Sequence, residues 1–211
     1  YIGTIDLDRA ELGIACLLSN DTTYFTALTV DDFHSLVASK KFKKPVNEIS
    51  KKERFTAKSV NFGGVLYGGS AAGIANRIHV EPEIVQAIQD WYKQGFPVLT
   101  NWIEEQKAEA VKTSQVVTYF GRVRNLNNLR WDQKRRIGVN TAVQSVASDV
   151  MLYIVTRLAS LLRRDKLKSK ILFPVHDELL LDIHPSEVES LVVLLKQAFK
   201  DILKTPIGQL E

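Results

Sequence analysis

Three short patches carry the side chains whose types and spacing could do chemistry. They are Asp6-Leu-Asp-Arg-Ala-Glu11-Leu, Arg54-Phe-Thr-Ala-Lys58-Ser-Val-Asn-Phe62-Gly and Val175-His-Asp-Glu-Leu179. Singly, each has an ordinary structural account. Asp6 can simply end a strand, and Asp8 with Glu11 three residues later makes a helix capping box. His176-Asp177 between two apolar runs is a hairpin turn, and Arg54 and Lys58 would sit on a solvated helix face. Together the patches fit one chemistry, nucleotidyl transfer. That reaction uses two divalent metals about 3.5–4 Å apart, one activating the attacking hydroxyl and one neutralising the leaving pyrophosphate. Two carboxylates on rigid strands can bridge such a pair, and Asp6 at a strand end and Asp177 at a hairpin tip suit the task. Hard oxygen ligands favour magnesium, which fills its other positions with water and substrate phosphate. Arg54, Lys58 and Phe62 are spaced by four, so one helix face sets an aromatic ring beside two phosphate-binding cations.

The elements that must hold these residues follow from periodicity. Residues 1–7 alternate apolar and polar as a strand anchored by Ile2 and Ile5, and a helical pattern runs from Asp8 through Leu12, Ala15, Cys16 and Ser19. The lysines at 40, 41, 43 and 44, ending at Pro45, read as a solvated loop. A helix over 51–66 precedes a break at Gly68 and Gly69, and helices are predicted over 71–77, 81–94 and 98–112. Residues 116–120 read as a strand turning at Gly121. A long helix over 133–162 repeats Val139, Val143, Val146, Val150, Ile154 and Leu158 every three or four residues, so one face is buried. Residues 171–175 and 179–183 flank His176 and Asp177 as a hairpin, and 187–203 reads as a closing helix. Cys16 and the tryptophans are assigned to the core.

Composition bounds the rest. With 211 residues, 45% hydrophobic and 25% charged, and only 11 Gly and 6 Pro, the chain is globular, neither disordered nor a fibrous repeat. The apolar runs stop short of the ~20 residues that a membrane span needs. A single cysteine excludes an internal disulfide and suits a reducing compartment, with the cytoplasm as the expectation. The net charge of +4 suits a polyanion without demanding one. The chain has no initiator methionine and opens on Tyr1 inside a strand, which predicts a piece of a longer protein.

On these residues the chain resembles the family A DNA polymerases, of the DNA polymerase I type, with the three patches matching motifs A, B and C in order. The likeness extends to Gly121-Arg-Val-Arg124, similar to the family's Gly-Arg-Arg segment, and to Arg136, Asn140 and Gln144 on the helix before motif C. The resemblance implies an α+β fold: a palm of small antiparallel sheet with helices over 1–20 and 129–211, and a mostly helical fingers subdomain over 21–128. It implies template-directed DNA synthesis with two magnesium ions on Asp6 and Asp177, supported by Glu178. Lys58 and Arg54 would hold the deoxynucleoside triphosphate, Phe62 would pack on its sugar, and Glu11 would block a ribose 2′-hydroxyl with help from Tyr67. Arg122, Arg124, Arg136, Asn140, Gln144 and His176 would contact primer-template DNA. A thumb and any exonuclease domain would precede Tyr1.

Several details depart from the family pattern. Motif B carries one extra residue, because Gly64, Val65 and Leu66 separate Phe62-Gly63 from Tyr67-Gly68 where the family has two residues. A π-bulge can absorb such an insertion. Gly13 replaces a usual Arg, Ser145 a frequent Gly, and Pro174 requires an edge strand or a bulge. Two other readings share parts of the pattern: a single-subunit RNA polymerase, against which Glu11 argues, and a catalytically silent DNA-binding piece of a split polymerase.

Overall fold

The computed structural model describes the chain except residues 8, 176, 201, 203, 206, 207, 210 and 211. The elements that build the site are a strand β1 (Ile2–Asp6), a core helix α1 (Ala10–Ser19), short helices α2 (Thr22–Leu28) and α3 (Phe33–Phe42), and α4 (Lys51–Ser59), which runs into a π-helical segment, Val60–Leu66. Then come α5 (Ala71–Ile78), α6 (Pro82–Gly95) and α7 (Pro97–Thr113), a small ribbon of β2 (Gln115–Val117) and β3 (Val123–Asn125), the long α8 (Trp131–Arg164), the hairpin β4 (Lys170–Val175) and β5 (Glu178–Asp182), and α9 (Val188–Phe199). A pair of two-residue strands, Lys204–Thr205 and Gly208–Gln209, follows. The α+β reading holds.

The central sheet has the antiparallel order β1-β5-β4, so β5 lies between the chain's first strand and its own hairpin partner. Leu179 and Leu181 on β5 point into the core. Pro174 lies on the edge strand β4, which also carries an irregularity between Ile171 and Phe173. An edge is where a residue without an N–H costs least.

α8 is the wall on which the rest is assembled. Val139, Val143, Val146, Val150 and Leu158 are fully buried, and α1, α7, α9 and β4 pack around that stripe. Part of α8 is long and apolar enough to cross a membrane, but here its apolar face is the core of the fold. Gly138 lets α7 approach closely, since a Cβ there would stand 2.5 Å from the Ala110 Cβ. A buried carboxylate joins two other helices: Asp21 accepts the Tyr24 N–H at 2.8 Å, capping α2, and the Leu99 N–H at 2.9 Å, near the start of α7.

Four sequence expectations are corrected. Lys40 and Lys41 lie in the last turn of α3, because Asp32 caps its start and Phe33, Val37 and Ala38 give it a buried face; Lys43, in the left-handed region, ends it. Helix α2 had no counterpart in the pattern. The closing helix stops at Phe199 instead of reaching 203, a residue outside the described ones. Trp131 is 63% exposed, not core, and its ring lies under the Arg135 guanidinium at 5.3 Å.

Candidate active site

Strand register brings the acidic residues together. β1 ends at Asp6, which stands directly across from Glu178, the first residue of β5. The tight β4–β5 connection ends in Asp177, whose carbonyl accepts the Leu7 N–H at 3.1 Å. Residues 171 positions apart in sequence thus meet at one sheet end. Asp6, Asp177 and Glu178 are exposed, and among the described residues the Asp6 and Asp177 carboxylates have no ion-pair or hydrogen-bond partner. Also among the described residues, no three acidic, histidine or cysteine side chains form a closed metal cage. Two unpartnered carboxylates on an open edge fit magnesium, which retains water and takes phosphate oxygens as further ligands.

A cavity of about 340 Å³ is lined by both Asp6 and Asp177 and, from α4 and the π-helical segment that continues it, by Arg54, Lys58 and Phe62. A capping box sets the start of α4: Ser50 Oγ accepts the Glu53 N–H at 3.2 Å, and the Glu53 carboxylate accepts the Ser50 N–H at 2.9 Å. From that fixed start, the spacing of four turns all three side chains to the same side. Among the described residues the Lys58 ammonium has no protein partner, while Arg54 Nε donates to Asp32 Oδ2 at 2.8 Å.

The inserted residue of motif B is taken up by the π-helical segment. The Tyr67 N–H donates to the Phe62 carbonyl at 3.0 Å, a five-residue step, and Gly68 follows in the left-handed region at φ +65°. The Tyr67 hydroxyl thereby reaches Glu11 and donates to Oε2. The pairing of these two residues survives the insertion. Gln144 joins them, its amide donating to Glu11 Oε1 and to the Tyr67 hydroxyl, both at 3.3 Å. Burial and the adjacent Glu11 carboxylate push the Tyr67 phenol well above its ordinary range, so it remains a donor.

The other flagged residues are more dispersed. Arg136 is exposed and Asn140 half-buried, eight and four residues before Gln144 on α8. Arg122 pairs with the largely buried Asp149, and Arg124 donates to Thr141 Oγ1 at 3.0 Å, so both are tied to α8 at the ribbon beside it. His176 and Asp8 lie outside the described residues; Glu11, read as half of a capping box with Asp8, is engaged by Tyr67 and Gln144, and Arg9 forms the start of α1 without a side-chain cap.

Sequence reasoning passed over three polar residues of the cavity lining, Asp31, Asp32 and His34. His34 is 4% exposed, with Nδ1 2.8 Å from the Asn61 side-chain nitrogen and its ring 5.8 Å from that of Phe62. Burial, then the charges of Arg54 and Lys58, lower its pKa to about 4. It is therefore neutral at pH 7, and a ring that accepts from Asn61 at Nδ1 carries its proton on Nε2. A larger cavity, about 680 Å³, opens beside Gly64, Gly68 and Ser70 against α6 and α7, with Gln89, Asn101 and Lys107 in its wall. It contains none of the flagged carboxylates, so the smaller cavity is the candidate active site.

Residues 1–208 match the family described as DNA polymerase family A, and the chain belongs to it. DNA polymerase I of Pseudomonas aeruginosa is 31% identical over 191 residues, covering 87% of this chain and 21% of that protein. The thermostable DNA polymerase I of Thermus thermophilus is 32% identical over 203 residues, covering 93% and 24%. The chain thus spans under a quarter of the length of these curated relatives. The solved POL domain of Pol1 from M. smegmatis, in complex with DNA primer-template and dNTP, superposes with a TM-score of 0.87 at 27% identity, covering all of this chain and 38% of that one.

Proposed function

We propose that this chain is the catalytic centre of a DNA-directed DNA polymerase that adds deoxynucleotides to a primer 3′ end. In this reading residues 1–20 and 129–211 form the palm, residues 21–128 form the fingers, and a thumb and any exonuclease belong to the rest of a longer, cytoplasmic protein. The observation that carries the proposal is the cavity whose lining includes Asp6 and Asp177 together with Arg54, Lys58 and Phe62. Carboxylates and cations lining one nucleotide-sized space suit a triphosphate whose α-phosphorus must meet the primer hydroxyl.

Asp6 and Asp177 would hold two magnesium ions, with Glu178 as the adjacent carboxylate; bound there, the ions lower the pKa of the primer hydroxyl and neutralise charge on the leaving pyrophosphate. Lys58, which lacks a protein partner among the described residues, and Arg54 would hold the triphosphate oxygens. Phe62 would pack against the deoxyribose, and the Glu11–Tyr67 pair would close the space that a 2′-hydroxyl needs. Arg122, Arg124, Arg136, Asn140, Gln144 and His176 would position primer-template through polar contacts that do not read its sequence.

The test is primer extension with magnesium, four deoxynucleotides and the longest protein carrying this chain, compared with Asp6→Asn and Asp177→Asn. We expect each variant to lose about a thousandfold or more in rate, roughly 4 kcal/mol of transition-state stabilisation, and chelation of divalent metal to abolish extension. Variants as active as the parent would refute the assignment of the two carboxylates. A parent that binds primer-template but extends nothing would point to a silent DNA-binding piece.

A further inference from the structure

Arg54 would be a poorly defined phosphate ligand if its long side chain moved freely, for its side chain is 45% exposed. It is instead held at one atom. Its Nε donates to Asp32 Oδ2 at 2.8 Å. Asp32 in turn is fixed to the backbone of α3: Oδ1 accepts the Ser35 N–H at 3.1 Å and Oδ2 accepts the Ser35 hydroxyl at 2.6 Å. α3 packs along α4, so the carboxylate and the arginine it holds belong to two helices in contact.

The point of attachment matters. A guanidinium offers Nε and two terminal nitrogens in one rigid plane, and a partner on Nε leaves the terminal pair for a second oxyanion. Among the described residues the terminal nitrogens of Arg54 have no partner, and the side chain lines the cavity. Burial would raise the Asp32 carboxyl, but the bonds from Arg54 and Ser35 outweigh it and lower it to about 2, so the group is ionised at any working pH.

We infer that Asp32 is a positioning residue that orients Arg54 through Nε and aims its two terminal nitrogens at the phosphates of the incoming nucleotide. This inference rests on the polymerase reading. The helix cap thus has a second use: the same carboxylate that starts α3 pre-organises the triphosphate site. The negative charge of Asp32 opposes phosphate binding, so the sign of the effect is itself a test. A carboxylate that merely competed for Arg54 would weaken nucleotide binding, and its removal would strengthen it.

Asp32→Asn is the informative variant, because asparagine caps a helix as well as aspartate does while removing the charge. In nucleotide incorporation by the protein carrying this chain, the KM for deoxynucleotide is expected to rise about tenfold, the magnitude of one charge-assisted hydrogen bond at a half-exposed site, with kcat changed less than threefold. In an Arg54→Ala background the same substitution is expected to add less than twofold, since its effect passes through Arg54. A KM that falls in Asp32→Asn, or a change of equal size with and without Arg54, overturns the inference while leaving the polymerase reading intact, provided the parent extends primers. A parent that extends none removes both together.

Discussion

Deleting one glycine of the Gly63-Gly64 pair, which yields the same chain whichever is removed, isolates the work of the π-helical segment. An added residue advances an α-helix by 100°, and at a side-chain radius of about 5–6 Å that rotation carries a side-chain tip about 8 Å sideways. Tyr67 in plain α-helical continuation from Phe62 would then be far out of reach of Glu11. The five-residue step from the Phe62 carbonyl to the Tyr67 N–H cancels that rotation, and the Tyr67–Glu11 bond results. With the glycine deleted, Tyr67 would follow Phe62 by four residues and an ordinary α-helical bond would suffice. The deletion is therefore expected to keep the Tyr67–Glu11 contact and to change the preference for deoxy- over ribonucleotides, measured as the ratio of kcat/KM values, by less than threefold. Inserting a further glycine, which no single π-turn can absorb, is expected to lower that preference as far as Tyr67→Phe does. A hydrogen bond to a carboxylate contributes about 1.5–3 kcal/mol, so that loss should be about ten- to a hundredfold. A deletion variant as unselective as Tyr67→Phe would refute the reasoning, because the position of Tyr67 would then depend on the π geometry itself and not on the register it restores.

Three further outcomes are expected. Gln144→Ala should reduce the same sugar preference about threefold with little change in deoxynucleotide KM, because its two bonds, at 3.3 Å each, are long; an unchanged ratio with weakened primer-template binding would return Gln144 to a purely DNA-contacting role. His34 titrates at about 4 in the fold and about 6.5 unfolded, so between these values the unfolded chain binds more protons and stability falls as pH drops from about 6.5 to 4. Thermal melts across that range should show this slope in the parent and a shallower one in His34→Gln. Asp21→Ala leaves the Tyr24 and Leu99 N–H groups unpaired in a buried place, and should cost about 3 kcal/mol in urea unfolding; a loss under 1 kcal/mol would mean that water replaces the carboxylate.

The parts of the site that were legible in sequence are those whose function and local structure share a period. Arg54, Lys58 and Phe62 are both a motif and a helix face, and the valine stripe of α8 is both a pattern and a core. Asp6 and Asp177 could be placed at a strand end and a hairpin tip from local pattern alone. That β5 would pair with β1, setting Asp6 across from Glu178, is not written in either segment and appears only in the fold. The lysine run was misread because charge density suggests solvent, whereas α3 is held by a cap at Asp32 and a buried face that begins seven residues before the first lysine.

What stayed hidden has one physical character: it depends on contacts between segments that carry no shared pattern. Asp32 reaches Arg54 across 22 residues and His34 reaches Asn61 across 27. In sequence Asp32 is an ordinary helix cap and His34 one of four histidines. Their part in the site arises only when α3 is laid along α4, which turns a cap into the support of the arginine proposed to hold phosphate and removes a histidine from water until it is neutral. The inserted glycine is the converse case. It was plain in the sequence, yet what it does to the site could be decided only by the hydrogen bond that Tyr67 makes back to Phe62. A departure from a motif therefore says that the local helix must change; whether the site changes with it is determined by the residues, here Glu11 and Gln144, that the displaced side chain has to meet.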